Sequence, residues 1–66
     1  MRMTARIYEI EPGVIDGDYT IEPPEEADAE YEYARRFTTK AEARAWLEAT
    51  ARARDIDPGE VVWVES

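Results

Sequence analysis

Carboxylates are the abundant chemistry-bearing side chains of this 66-residue sequence, which holds 16 Asp and Glu, no His and no Cys. Without Cys there is neither a disulfide nor a thiolate metal site, and without His the commonest general base and zinc ligand are missing. Three chemistries remain for the acids. Asp16, Asp18 and Glu22, with Thr20, offer oxygen to a hard cation, but Asp16-Gly17-Asp18 lacks the spacing of a calcium loop and reads as a turn cluster. A carboxylate pair for glycoside cleavage needs a cleft, and so short a chain has little room for one. The sequence therefore predicts no enzyme activity, no metal and no cofactor. The third chemistry is electrostatic, because a single-signed block of side chains projects a field.

Such a block is present. From Glu9 to Glu32 the chain carries Glu9, Glu11, Asp16, Asp18, Glu22, Glu25, Glu26, Asp28, Glu30 and Glu32 with no Lys or Arg, while residues 33–66 balance six acids with six bases. The whole chain has a net charge of -8. That charge repels nucleic acid and anionic membranes and favours a basic partner. Acidic composition alone is an ordinary route to solubility. Here, however, Ile10, Val14, Ile15, Tyr19, Ile21, Tyr31 and Tyr33 are interleaved with the acids, whereas disordered acidic tracts are poor in such residues. The block is patterned to fold.

Few elements are available to position it. Thr4 to Ile10 reads as a strand, and Pro12-Gly13 reverses the chain. Val14 to Glu22 reads as a second strand with Ile15, Tyr19 and Ile21 on one face and Asp16, Asp18, Thr20 and Glu22 on the other, interrupted by a bulge or tight turn at Asp16-Gly17-Asp18. Pro23-Pro24 ends the ladder, and Glu25 to Asp28 form an exposed loop. Glu30 to Phe37 alternates as a third strand, with Tyr31, Tyr33, Arg35 and Phe37 on one face. Thr39-Lys40-Ala41-Glu42 has capping-box spacing and opens a helix to about Arg54, whose inner side is Ala43, Trp46, Leu47, Thr50 and Ala53. After Asp57-Pro58-Gly59, the apolar run Val61 to Val64 reads as a strand of the sheet interior.

The expected fold is a single α+β domain over residues 1–66, ordered β-β-β-α-β, with an antiparallel sheet of three to four strands and one helix on one face. The other face then carries Asp16, Asp18, Glu22, Glu30 and Glu32 into water. Alternate residues along a strand lie roughly 6.6 Å apart, so Asp28, Glu30 and Glu32 are expected to form a regular row of negative charge. Trp46 and Trp63 read as core. Tyr19, Tyr31 and Tyr33 suit either the core or an interface, where an amphipathic ring buries area while its hydroxyl stays wet. Arg35 and Arg36 are expected to pair with neighbouring acids.

The stretch Phe37-Thr38-Thr39-Lys40-Ala41-Glu42-Ala43-Arg44-Ala45-Trp46-Leu47 resembles the strand-to-helix junction in the amino-terminal arm-binding domains of phage integrases. That family places three strands before a helix and reads DNA with a basic sheet; here the corresponding face is acidic, so only the topology carries over. In size, acidity and lack of catalytic residues the chain is also similar in type to phage-encoded inhibitors of bacterial defence, notably anti-CRISPR proteins that mimic DNA. That resemblance implies a protein that binds the basic DNA channel of a CRISPR effector complex, such as one of type I. With no apolar run long enough to span or signal, the expectation is a cytoplasmic protein, of a bacterial host, monomer or homodimer, that touches neither nucleic acid nor membrane directly.

From these observations the expected function is noncatalytic inhibition of a basic nucleic-acid-binding protein, with Asp16, Asp18, Glu22, Glu25, Glu26, Asp28, Glu30, Glu32 and Tyr19 at the contact. A carboxylate array offers a basic groove the counterion-releasing contacts that a duplex does. The alternative is an acidic regulatory module that binds its partner through exposed tyrosines. The mimic requires its acids to share one surface and to be free of arginine partners.

Overall fold

The computed structural model describes residues 1–23 and 32–66. Strand β1 spans Arg2–Glu11, β2 Val14–Glu22, β3 Ala34–Phe37 and β4 Val62–Glu65, with helix α1 over Lys40–Ala53 and a 3₁₀ turn over Pro58–Glu60. The strands form one sheet in the order β3-β2-β1-β4, and α1 packs on one face of it, giving the small α+β fold that the sequence predicts.

Alternation decides which residues meet the helix. Met3, Ala5 and Ile7 of β1 and Ile15, Tyr19 and Ile21 of β2 are buried against Ala43, Leu47 and Ala51 of α1, with Ile56 and Val61 closing the end. Tyr33, Phe37, Trp46 and Trp63 pack around this core. At the β1–β2 turn Gly13 takes φ 81°, a conformation that a side chain resists, which explains Gly after Pro12.

Gly17 has a different role from the expected one. β2 runs unbroken through Asp16-Gly17-Asp18, with Gly17 opposite Ile7 and Arg35. A Cβ at Gly17 would lie 3.3 Å from the Phe37 ring and 3.4 Å from Cβ of Ala43, so the missing side chain lets the helix approach the sheet. The irregularity in the ladder falls instead between Glu9 and Glu11.

Helix α1 is closed at both ends. Thr39 Oγ1 accepts from the Glu42 amide at 3.2 Å, completing one arm of the capping motif. The Glu42 carboxylate accepts from the hydroxyls of Thr38 at 2.6 Å and Thr39 at 3.0 Å. At the other end Asp55 sits at φ 58°; its amide donates to the Arg52 carbonyl and the Ile56 amide to the Ala51 carbonyl. This is a Schellman termination with Asp where glycine is usual, sealed by buried Ile56 and Ala51.

The last strand departs from expectation. β4 lies at the edge of the sheet, parallel to β1, rather than in the interior of an antiparallel sheet. Its apolar run is not doubly buried: Val62 and Val64 lie on the face opposite the helix and stay exposed. Only the Trp63 side of β4 is covered. Its indole Nε1 donates to the Pro58 carbonyl, and the Arg44 guanidinium stacks 4.3 Å from the ring centroid. β3 is also shorter than the sequence suggests, beginning at Ala34, while residues 30 and 31 lie outside the described part of the chain.

Candidate functional site

The helix-free face of the sheet carries the expected acidic row of β2, and the structure surrounds that row with arginine. Register places Arg6 opposite Asp18 and Arg2 opposite Glu22 on one side, and Arg36 opposite Asp16 on the other. Arg6 donates to Asp18 at 3.2 Å and Arg36 Nε to Asp16 at 2.9 Å. Hydrogen bonding to Asp16 raises the pKa of the Arg36 guanidinium further above its already high value. Arginines of β1 and β3 therefore stand opposite all three acids of β2 on this face, and Glu11, opposite Val14 and close enough to act on Arg36, adds one further carboxylate to it.

Glu32, placed just before β3, is exposed and lies 3.6 Å from Arg35 Nε. Asp16, Asp18 and Glu32 therefore each have an arginine partner, so among the described residues these three acids do not form the expected unpaired wall. For the two aspartates the reason is topological: cross-strand neighbours of an acidic strand are set by register, and register here delivers arginines from both sides, whereas Glu32 and Arg35 are neighbours three positions apart in the chain. Glu22, exposed at the end of β2, is the remaining expected contact residue in the described region. Glu25, Glu26, Asp28 and Glu30 lie outside the described residues, as does the Asp28-Glu30 part of the expected row.

Tyr19 is not a surface anchor. It is 4 % exposed, with its ring 5.2 Å from that of Tyr33 and 5.7 Å from that of Trp46, and its hydroxyl accepts from Arg54 at 3.1 Å. Its place in phase with Ile15 and Ile21 carries it inward. Tyr33 is half-buried against the same core, which removes the exposed-tyrosine anchors in the described region; Tyr31 lies outside it.

Two hollows remain. One of about 270 Å³ lies over Asp16, Gly17, Asp18, Ala34, Arg35 and Arg36. A cation there would have to compete with guanidinium groups for both aspartates, and among the described residues no cluster of three or more candidate ligands exists. The other, about 460 Å³ and open, runs between α1 and β3 with Tyr19, Trp46, Arg35 and Arg54 in its lining. Of the hydroxyls in its lining, that of Thr50 donates to the Trp46 carbonyl at 2.8 Å and that of Tyr19 accepts from Arg54. No helix among the described residues is long and apolar enough to cross a membrane.

No protein-family model matches this chain, and searches of curated proteins and of solved structures return no match.

Proposed function

We propose that the protein is a noncatalytic binding module that occupies a basic, nucleic-acid-binding surface of another protein chiefly through the acids of residues 25–30. The observation that carries this reading is the partition of charge. On the sheet face opposite the helix Arg6 and Arg36 bond Asp18 and Asp16, and Arg2 stands opposite Glu22. Between Glu22 and Glu32, which has Arg35 beside it, the sequence places Glu25, Glu26, Asp28 and Glu30 with no Lys or Arg. Both ends of this stretch attach at the same end of the sheet, since β2 and β3 are antiparallel neighbours. A folded two-layer base therefore holds a run of four carboxylates by its two ends, and such a run can replace phosphates on Lys and Arg groups. The DNA channel of a CRISPR effector complex is one surface of that chemistry.

The test is competition. A partner captured from bacterial lysate is titrated with the protein in the presence of labelled duplex DNA, at rising salt. The proposal predicts displacement of DNA that weakens steeply with salt and is abolished when Glu25, Glu26, Glu30 and Glu32 are changed together to Gln, with the fold intact. Displacement that survives this change rejects it.

A further inference from the structure

The two edges of the sheet differ chemically. β3 carries Arg35 and Arg36 on its four residues, so a second β3 laid against it would set arginine against arginine, whereas β4 has no Lys, Arg or Pro. The Ser66 amide donates to the Ile7 carbonyl and the Ser66 carbonyl accepts from the Glu9 amide, so the even-numbered residues of this strand turn their backbone groups toward β1. By alternation, the N–H and C=O groups of Trp63 and Glu65 point away from the sheet, and among the described residues no strand lies beyond them. Such an edge is a template for pairing unless it is blunted or covered.

The side chains of β4 complement β4 itself. Antiparallel pairing about a twofold axis at Val64 would set Trp63 opposite Glu65 of a second copy and Glu65 opposite its Trp63, engaging every outward N–H and C=O group of both residues. A register centred on Trp63 or on Glu65 would engage half of them. Val64 would meet Val64 of the second copy with Cβ atoms about 4.5–5.5 Å apart. That contact falls on the open face, where Val62 and Val64 are 47 % and 38 % exposed. On the helix side Arg44 lies 4.3 Å from the Trp63 ring centroid and donates to Glu65 at 3.3 Å. Glu65 of the second copy, arriving opposite Trp63, would come in beside this guanidinium, so each Arg44 would stand between two carboxylates. A basic segment would instead bring Lys or Arg against Arg44, and an acidic one would add carboxylates with no arginine of its own.

The net charge of -8 does not oppose this arrangement, because its excess is placed elsewhere. Residues 33–66, which include α1 and β4, hold six acids and six bases, and the unbalanced acids lie between Glu9 and Glu32. Those of residues 25–30 are tethered between β2 and β3, on the side of the sheet away from β4. In a paired sheet the two β1 strands would stand three strand spacings apart, about 14 Å, and the two β2 strands five, about 24 Å, against a Debye length of roughly 8 Å at physiological salt.

We propose that two copies of this chain pair through β4, antiparallel about a twofold axis at Val64, into one continuous sheet whose exposed edges are the two arginine-bearing β3 strands. Four residues a side make a small interface, so the dimer is weak and forms with rising concentration. Sedimentation equilibrium and hydrogen exchange of the ¹⁵N-labelled chain, each from about 10 μM to about 1 mM, read the pairing. The weight-average mass should rise from that of one chain toward that of two, and exchange at the Trp63 and Glu65 amides should slow in step with it. Val64→Glu places a carboxylate beside Arg6 of its own chain but sets two carboxylates against each other across the axis. Its dissociation constant should therefore be at least about tenfold higher than that of the native chain, and Val64→Ile should pair as the native chain does. If either variant misfolds, the native chain alone decides the matter. The mass of a single chain at every concentration overturns the proposal. So does a dimer in which exchange at Trp63 and Glu65 is unchanged, because the interface then lies elsewhere. Protection of those amides in the monomer overturns it in favour of cover from within the chain, and a mass that passes two chains overturns it in favour of β4 pairing with another copy's β3. Val64→Glu pairing as tightly as the native chain removes the axis at Val64.

Discussion

Asp18 faces Arg6 across the β1–β2 ladder and accepts a 3.2 Å hydrogen bond from it, and one residue pair further along β2, Asp16 does the same with Arg36 of β3. The two aspartates expected at the start of an acidic wall are instead each bonded to a cross-strand arginine. Reversing the two arginines should therefore unbalance both pairs. Arg6→Glu with Arg36→Glu places like charges directly opposite each other, so the urea midpoint should fall and should partly recover as NaCl is raised. A midpoint insensitive to both changes would mean the pairs are incidental.

Gly17 sets the distance between sheet and helix. Gly17→Val puts branched carbon where the Phe37 ring and Ala43 already approach within 3.3 Å and 3.4 Å of a bare Cβ. Overpacking of this kind costs about 1–3 kcal/mol, to be read from denaturant unfolding, and the β-branched side chain's preference for strands should not offset it.

Asp55 carries the left-handed turn that ends α1. Glycine adopts φ 58° without the steric penalty of a Cβ, so Asp55→Gly should raise stability by about 1 kcal/mol. A lower midpoint for the glycine variant would show that the Asp side chain contributes more to the turn than its backbone strain costs.

Acid should loosen the start of the helix first. Hydrogen bonds from Thr38 and Thr39 hold the Glu42 pKa below its ordinary value of 4.5. A group whose pKa is depressed on folding adds stability above its unfolded pKa and loses it as pH falls through the folded one. The stability gap between the native chain and Glu42→Gln should thus be present at neutral pH and close below the ordinary carboxylate range. Thermal melts followed by circular dichroism at pH 7 and pH 3 measure it; a gap that persists at pH 3 contradicts the assignment.

Local signals in the sequence translated directly into structure. Thr39 and Glu42 marked the helix start because capping needs only neighbouring atoms, and Pro12-Gly13 marked the first turn for the same reason. Ile15, Tyr19 and Ile21 marked the inner face of β2 by their period. What escaped was long-range. Gly17 read as a turn because the sequence does not reveal that a helix will press on it. Tyr19 read as available because a ring beside carboxylates has the same neighbours in sequence whether it is inside or out. Val61 to Val64 suggested a central strand, yet β4 needs cover only on the Trp63 side, which Arg44 and the Pro58 carbonyl supply. The pairing of Asp16 with Arg36 spans twenty positions and depends on register, which no local pattern encodes.

The central claim is that Asp16 and Asp18 on the sheet face are matched by arginines while the acids of residues 25–30 are available to a partner. Removing two acids from each place compares them at equal net charge: Asp16→Asn with Asp18→Asn, and Glu25→Gln with Glu26→Gln. Retention on an immobilised Lys-rich peptide, measured against rising NaCl, is the direct reading. The account predicts that the aspartate pair elutes with the native chain and the glutamate pair elutes at clearly lower salt. Equal losses, or a larger loss for the aspartate pair, would contradict it.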